Sequence, residues 1–244
     1  MNPNIDIDTD TDTNTVATAQ LLAELSALLR GLPGSAAPLA NTLTVQAMGF
    51  ETFGRTDAVD LFARHPLALS ATPHVLTAPG ALAVLDVMPD GQPVGVFADV
   101  VDGALARLWV AGPVADDAVT EPGVSVASDD FLTQDRTACA GDPQDHPGLD
   151  ALAWPQVLAS AAEALQAVSE PAAASSSRAL VVRAFSSGDA FAALYTLRVL
   201  SPGVPRLAHR RWALAVCRIG ADGDLLHRRL AVSEPWPVPV AVLF

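Results

Sequence analysis

Asp99 is the side chain of this sequence best suited to acid–base chemistry. It sits in the apolar run Val96-Phe97-Ala98-Asp99-Val100-Val101. A carboxyl buried among such neighbours would have a raised pKa and act as a general acid or hydrogen-bond donor. On the outer face of a strand the same residue would be an ordinary solvated carboxylate. Asp86, within Val84-Leu85-Asp86-Val87-Met88, poses the same alternative. His65 precedes Pro66 and is expected at a helix C-terminus, where the helix dipole favours a cation. His74, after Pro73, is a candidate pocket residue, although a lone histidine is more often structural.

Other reaction classes lack their residues. The chain has no lysine, which excludes Schiff-base chemistry and a phosphate-loop lysine. Cys139 and Cys217 are the only two cysteines, too few for a disulfide framework or a cysteine-based zinc site. There is no His-x-x-x-His or His/carboxylate metal spacing, no G-x-S-x-G nucleophile element and no dinucleotide fingerprint. No metal and no cofactor is expected. Asp6, Asp8, Asp10 and Asp12 mimic a calcium-loop spacing but lack its glycine and bidentate glutamate.

A net charge of −13 repels nucleic acid and anionic membranes. The imbalance is local: residues 1–149 hold 20 acids and 5 arginines, whereas residues 150–244 hold 7 acids and 9 arginines. Arg210, Arg211, Arg218, His227, Arg228 and Arg229 make the second half cationic. Strand alternation sends His227 and Arg229 to one face and Arg228 to the other. One of those faces could receive an anionic ligand or an acidic surface, and Arg228 is a candidate contact. The polar, acidic N-terminus is the reverse of a signal peptide, and no apolar run approaches the roughly 20 residues of a membrane span. A cytoplasmic protein is expected.

The elements that must position these residues follow an α+β order. Residues 1–16 repeat Asp and Thr and are expected to form a disordered acidic tail. Leu21, Leu22, Leu25, Leu28 and Leu29 give helical spacing over 19–30, closed by Gly31, Pro33 and Gly34. A strand is expected at 43–50, a helix at 57–65, and strands at 67–76, 81–88, 93–101 and 104–111. Asp90-Gly91 and Asp102-Gly103 mark hairpins. These elements make a first module, 17–113, followed by a linker over 114–149. A helix at 155–168 and strands at 179–185, 190–200, 211–219 and 225–232 make a second module, 150–244. The two halves echo each other, from Gly80 to Pro113 and from Gly188 to Pro235, each a strand meander with an Asp-Gly hairpin.

Several features resemble the nuclear transport factor 2-like superfamily, which includes ketosteroid isomerases and polyketide-cyclase-like proteins. They are Gly54-Arg55 opening the helix through Phe62, the Gly91-Gln92-Pro93 turn and the Asp102-Gly103 hairpin. The likeness covers about 19–113 and, more faintly, 150–236, as a possible tandem repeat. It implies a cone, with helices closing a curved sheet around an apolar pocket. The isomerases of that superfamily use an early-strand carboxylate base and a Tyr-plus-carboxyl oxyanion clamp. Here the base position falls near Ala47, the first helix carries no Tyr, and the second half has Ala215 where the clamp carboxyl would stand. Asp99 alone stands where the clamp carboxyl belongs, and a one-residue slip would turn it outward. Phe97, Leu108 and Val110 are candidate ligand-lining residues, with His74, Asp86 and Arg228 as further candidate contacts. Trp109 is expected on the convex face, through which the two modules would pack like a covalent dimer.

These readings favour a non-catalytic binding protein for a small hydrophobic ligand or a protein partner, with a homodimer or intrachain pseudo-dimer possible. An isomerase, cyclase or dehydratase using Asp99 is one alternative, and an assembly or adaptor protein is another. A deep pocket holding a buried carboxylate would favour the enzyme. A filled cone with an exposed apolar or cationic sheet would favour the adaptor.

Overall fold

The computed structural model of the chain describes residues 9–32, 39–47, 50–70, 72–88, 91–112, 139–146, 148–168, 177–200, 208–233 and 236–238. Helix α1 (Thr9–Leu29) is built on its leucine stripe, with Leu25, Leu28 and Leu29 fully buried. It begins ten residues earlier than its apolar pattern, because a helix anchored by a docked face extends at little cost into the residues before it. Part of the segment expected as a tail is therefore helical, and residues 1–8 lie outside the described residues. The helix ends at Gly31, whose φ of 67° suits glycine. A side chain there would also strike the Ala63 backbone, at 2.3 Å.

Strands β1 (Leu39–Ala47) and β2 (Phe50–Phe53) form a hairpin where one strand was expected. Helix α2 (Arg55–Arg64) then buries Ala58, Leu61 and Phe62. A meander follows: β3 (His74–Ala78), β4 (Ala81–Val87), β5 (Pro93–Val101) and β6 (Ala104–Ala111). The expected strand at 67–76 is replaced by a loop running into β3, because Asp86 captures Ser70. The first sheet has the order β2-β1-β6-β5-β4-β3, and β6 returns to pair in parallel with β1.

Residues 114–138 of the expected linker lie outside the described residues, and its end is structured. Strand β7 (Cys139–Ala140) and two short 3-10 turns lead into helix α3 (Trp154–Val168). Strands β8 (Arg178–Ser187), β9 (Ala190–Leu200), β10 (Ala208–Ile219) and β11 (Leu225–Val232) make the second meander. The second sheet has the order β11-β10-β9-β8-β7, with β12 (Trp236–Val238) beside β10.

Both sheets are covered on both faces. On the first, α1 and α2 lie over Leu43, Val45, Val96, Leu108 and Val110. On the second, α3 lies over an alanine-rich face that includes Ala193, Ala213 and Ala215. Tyr195 fills that layer, and its hydroxyl donates to the Val157 carbonyl at 2.9 Å. The remaining faces pack on each other through Leu85, Phe97, Trp109, Phe185, Trp212, Leu214 and Ala231. Phe97 meets Trp109 and Phe185 edge to face, at centroid distances of 6.1 and 5.6 Å. Gly95 permits this approach, since a Cβ there would lie 2.8 Å from Leu214 Cδ2. The chain is thus an α+β protein of four layers: helices, sheet, sheet, helix.

Candidate functional site

Strand pleating decides where each candidate points. On β5, Val94, Val96 and Ala98 belong to the helix-covered core, so Phe97 and Asp99 face the second sheet. Asp99 lies between two guanidiniums, with Arg107 Nε at 3.5 Å and Arg183 Nε at 3.4 Å. Arg183 comes from β8, so the carboxylate ties the two sheets together. The clamp position implied by the resemblance would need Asp99 on the helix face, among Val96 and Ala98. Phe97 likewise serves the sheet–sheet layer.

Leu108 and Val110 do face α1 and α2, at 1 and 2% exposure. Ala47, at the expected base position, and Ala215, at the second half's equivalent of the clamp position, are buried alanines. Asp86 also turns to the helix side, and local donors occupy it. It accepts from the Ser70 backbone N–H, from Ser70 Oγ at 2.8 Å and from its neighbour Val87 N–H at 2.8 Å. Its role on this geometry is to pin the loop before β3.

Arg228 points to the helix side of β11 and forms an ion pair with Glu163 of α3. His227 and Arg229 take the opposite face, as alternation predicts, and Arg229 Nε donates to His227 Nε2 at 3.3 Å. His74 opens β3 on the sheet–sheet side. Its pKa lies below the ordinary value, first because of burial and then because of the charges of Arg229, His227 and Arg218. The sequence pointed to the cationic strands β10 and β11, but nothing local to His74 revealed that it joins them.

Two features lacked a sequence signal. His146 is only 4% exposed, beside Trp154 at a ring distance of 5.7 Å, and among the described residues neither ring nitrogen has a hydrogen-bond partner. Burial, the largest influence, lowers its pKa. Asp145 and Asp142 oppose that shift, and Arg183 adds to it. The second is a polar chain at the sheet margin, where Trp109 Nε1 donates to Gln46 Oε1 at 3.1 Å and Gln46 Nε2 donates to Glu51 at 2.9 Å. Cys217 is buried, 3.5 Å from Ser160 Oγ, and its thiol is pushed up to about 11. Such a thiol is a poor nucleophile.

Among the described residues, no three His, Cys, Asp or Glu side chains are grouped to hold a metal ion. Among them also, no helix is long and apolar enough to cross a membrane. No protein-family model matches the chain, and no curated protein matches it significantly.

Proposed function

We propose that the chain is a non-catalytic binding protein of the cone-like α+β class, similar to nuclear transport factor 2-like proteins, and that it engages a protein partner through its outer surface. The order of elements supports the resemblance: a helix, a hairpin, a second helix and a meander whose last strand returns beside the first. On this reading the two helix-and-meander units are diverged copies. The high negative charge favours a cytoplasmic protein partner over nucleic acid or anionic lipid.

One observation carries the preference for binding over catalysis. Leu43, Val45, Phe62 and Leu105 are 0% exposed and Leu108 is 1% exposed, in the layer where a cone would hold its ligand. A side chain bordering a water-sized space would expose area to it, so these side chains pack against one another. The carboxylate best suited to acid–base work lies on the opposite face of the same sheet, between Arg107 and Arg183.

The test is to titrate the full chain with an uncharged naphthylamine dye and a steroid, and to assay isomerisation of an unconjugated ketosteroid. Neither probe should saturate at micromolar concentration, and turnover should equal the uncatalysed rate. Saturable steroid binding, or turnover abolished by Asp99→Asn, would overturn the reading. The chain isolated from its own cells should also bring down a partner protein in stoichiometric amount.

A further inference from the structure

We propose that His74, Arg218, His227 and Arg229 form an anion-binding site at the margin of the sheet–sheet layer, suited to a compact oxyanion of the phosphate class. The proposal rests on different residues from the functional reading above, and each can fail without the other.

The register builds the cluster. Arg218 of β10 and His227 of β11 are directly paired, and Arg229 lies two residues further along the same face of β11. All three look towards the first sheet, as Ala231 does where it meets Gly95. In the first sheet, His74 is paired with Leu85, and Leu85 with Gly95, so His74 lies in the row of residues that runs to that close approach. His74 feels the charges of Arg229, His227 and Arg218 together, which puts all four groups in one electrostatic neighbourhood. Arg218, His227 and Arg229 thus share one face of adjacent strands, with His74 on the facing side of the first sheet, and a bound anion would bridge the sheets.

The charge of the cluster is undercompensated. Arg218 is paired with Asp189 of the β8–β9 turn, with Nε at 3.0 Å. Among the described residues, neither Arg229 nor His74 has an ion pair, and the partner of Arg229 is an imidazole. In a chain of net charge −13 this grouping is an exception. Arg218, His227 and Arg229 are exposed and His74 is half-buried, so an anion can reach them from solvent. Guanidinium forks match tetrahedral oxyanions with paired N–H donors, and the imidazoles add single donors around them. Two permanent cations against one carboxylate favour a dianion over a simple carboxylate ligand.

The experiment is calorimetric titration of the full chain at pH 7 with inorganic phosphate, sulfate and pyrophosphate, each against sodium chloride of equal ionic strength. Saturable binding of these oxyanions but not of chloride is expected. Arg229→Gln should weaken it about tenfold, the scale of one charge-assisted bidentate contact. His74→Gln should weaken it less, and Arg64→Gln on the exposed face of α2 should leave it unchanged. Arg229→Lys, which keeps the charge but not the fork, should fall between wild type and Arg229→Gln, and circular dichroism checks that each variant is folded. Phosphate behaving like chloride, or a folded Arg229→Gln variant binding like wild type, would overturn the proposal.

Discussion

The two faces of the first sheet differ in kind. The face under α1 and α2 is aliphatic, built from leucine, valine and alanine with Phe62 from α2. The face against the second sheet is aromatic at its centre, where Phe97 and Trp109 cluster with Phe185 and Trp212 of the second sheet. Charge collects at its margins, with Asp99, Arg107 and Arg183 in one group and His74, Arg218, His227 and Arg229 in another. A cone that worked as an enzyme would carry its polar groups on the helix face. Here the groups able to do chemistry sit mostly around the sheet–sheet layer, which directs attention from the interior to the rim.

The strongest way to break this contrast is Phe97→Ala. Removing a ring that touches both Trp109 and Phe185 should cost about 3–5 kcal/mol, because the hole cannot close between two stiff sheets. Denaturant unfolding followed by tryptophan fluorescence reads this directly, and a loss under about 1 kcal/mol would mean that the layer contributes little. Asp86→Ala should cost about 1–3 kcal/mol, since it leaves the Ser70 and Val87 N–H groups without their acceptor. Proteolysis within the loop 66–73 should quicken at the same time.

His146 sharpens the contrast through pH. Its pKa in the folded state is below the ordinary 6.5, so the unfolded chain takes up the proton first. Its contribution to stability is complete above pH 6.5 and is lost as the pH falls from there towards the lowered folded value. His146→Phe, which keeps the ring beside Trp154, should flatten the decline in thermal midpoint between pH 7 and 5. An unchanged slope would place the acid sensitivity elsewhere. The smallest effect is expected from Asp99→Asn, under about 1 kcal/mol, because both of its arginines are partly solvated.

The sequence carried most element boundaries, and their source is visible in particular residues. Asp102-Gly103 closes the β5–β6 hairpin with both residues at positive φ, at 51° and 74°. The leucines of α1 mark its buried face. Which way Asp99 points was not legible, because β5 is covered on both sides. From Val94 to Ala98 every residue is buried, so the polar–apolar alternation that normally reports a strand's faces is absent. The start of β3 depends on a bond between Ser70 and Asp86, sixteen positions apart, and the influence of the Arg229 charge on His74 depends on how two sheets pack. Neither contact leaves a local pattern. His146 stands in a Pro- and Asp-rich stretch that reads as a linker, and its burial arises from the Trp154 ring.

Xenon-pressurised crystals of wild type and of Leu108→Ala test the filled helix face most directly, since xenon enters dry apolar cavities. The account predicts no xenon beside Leu108 or Val110 in wild type, and a new site where the Leu108 side chain is removed. A xenon atom between α1, α2 and the first sheet of the wild-type protein would contradict it.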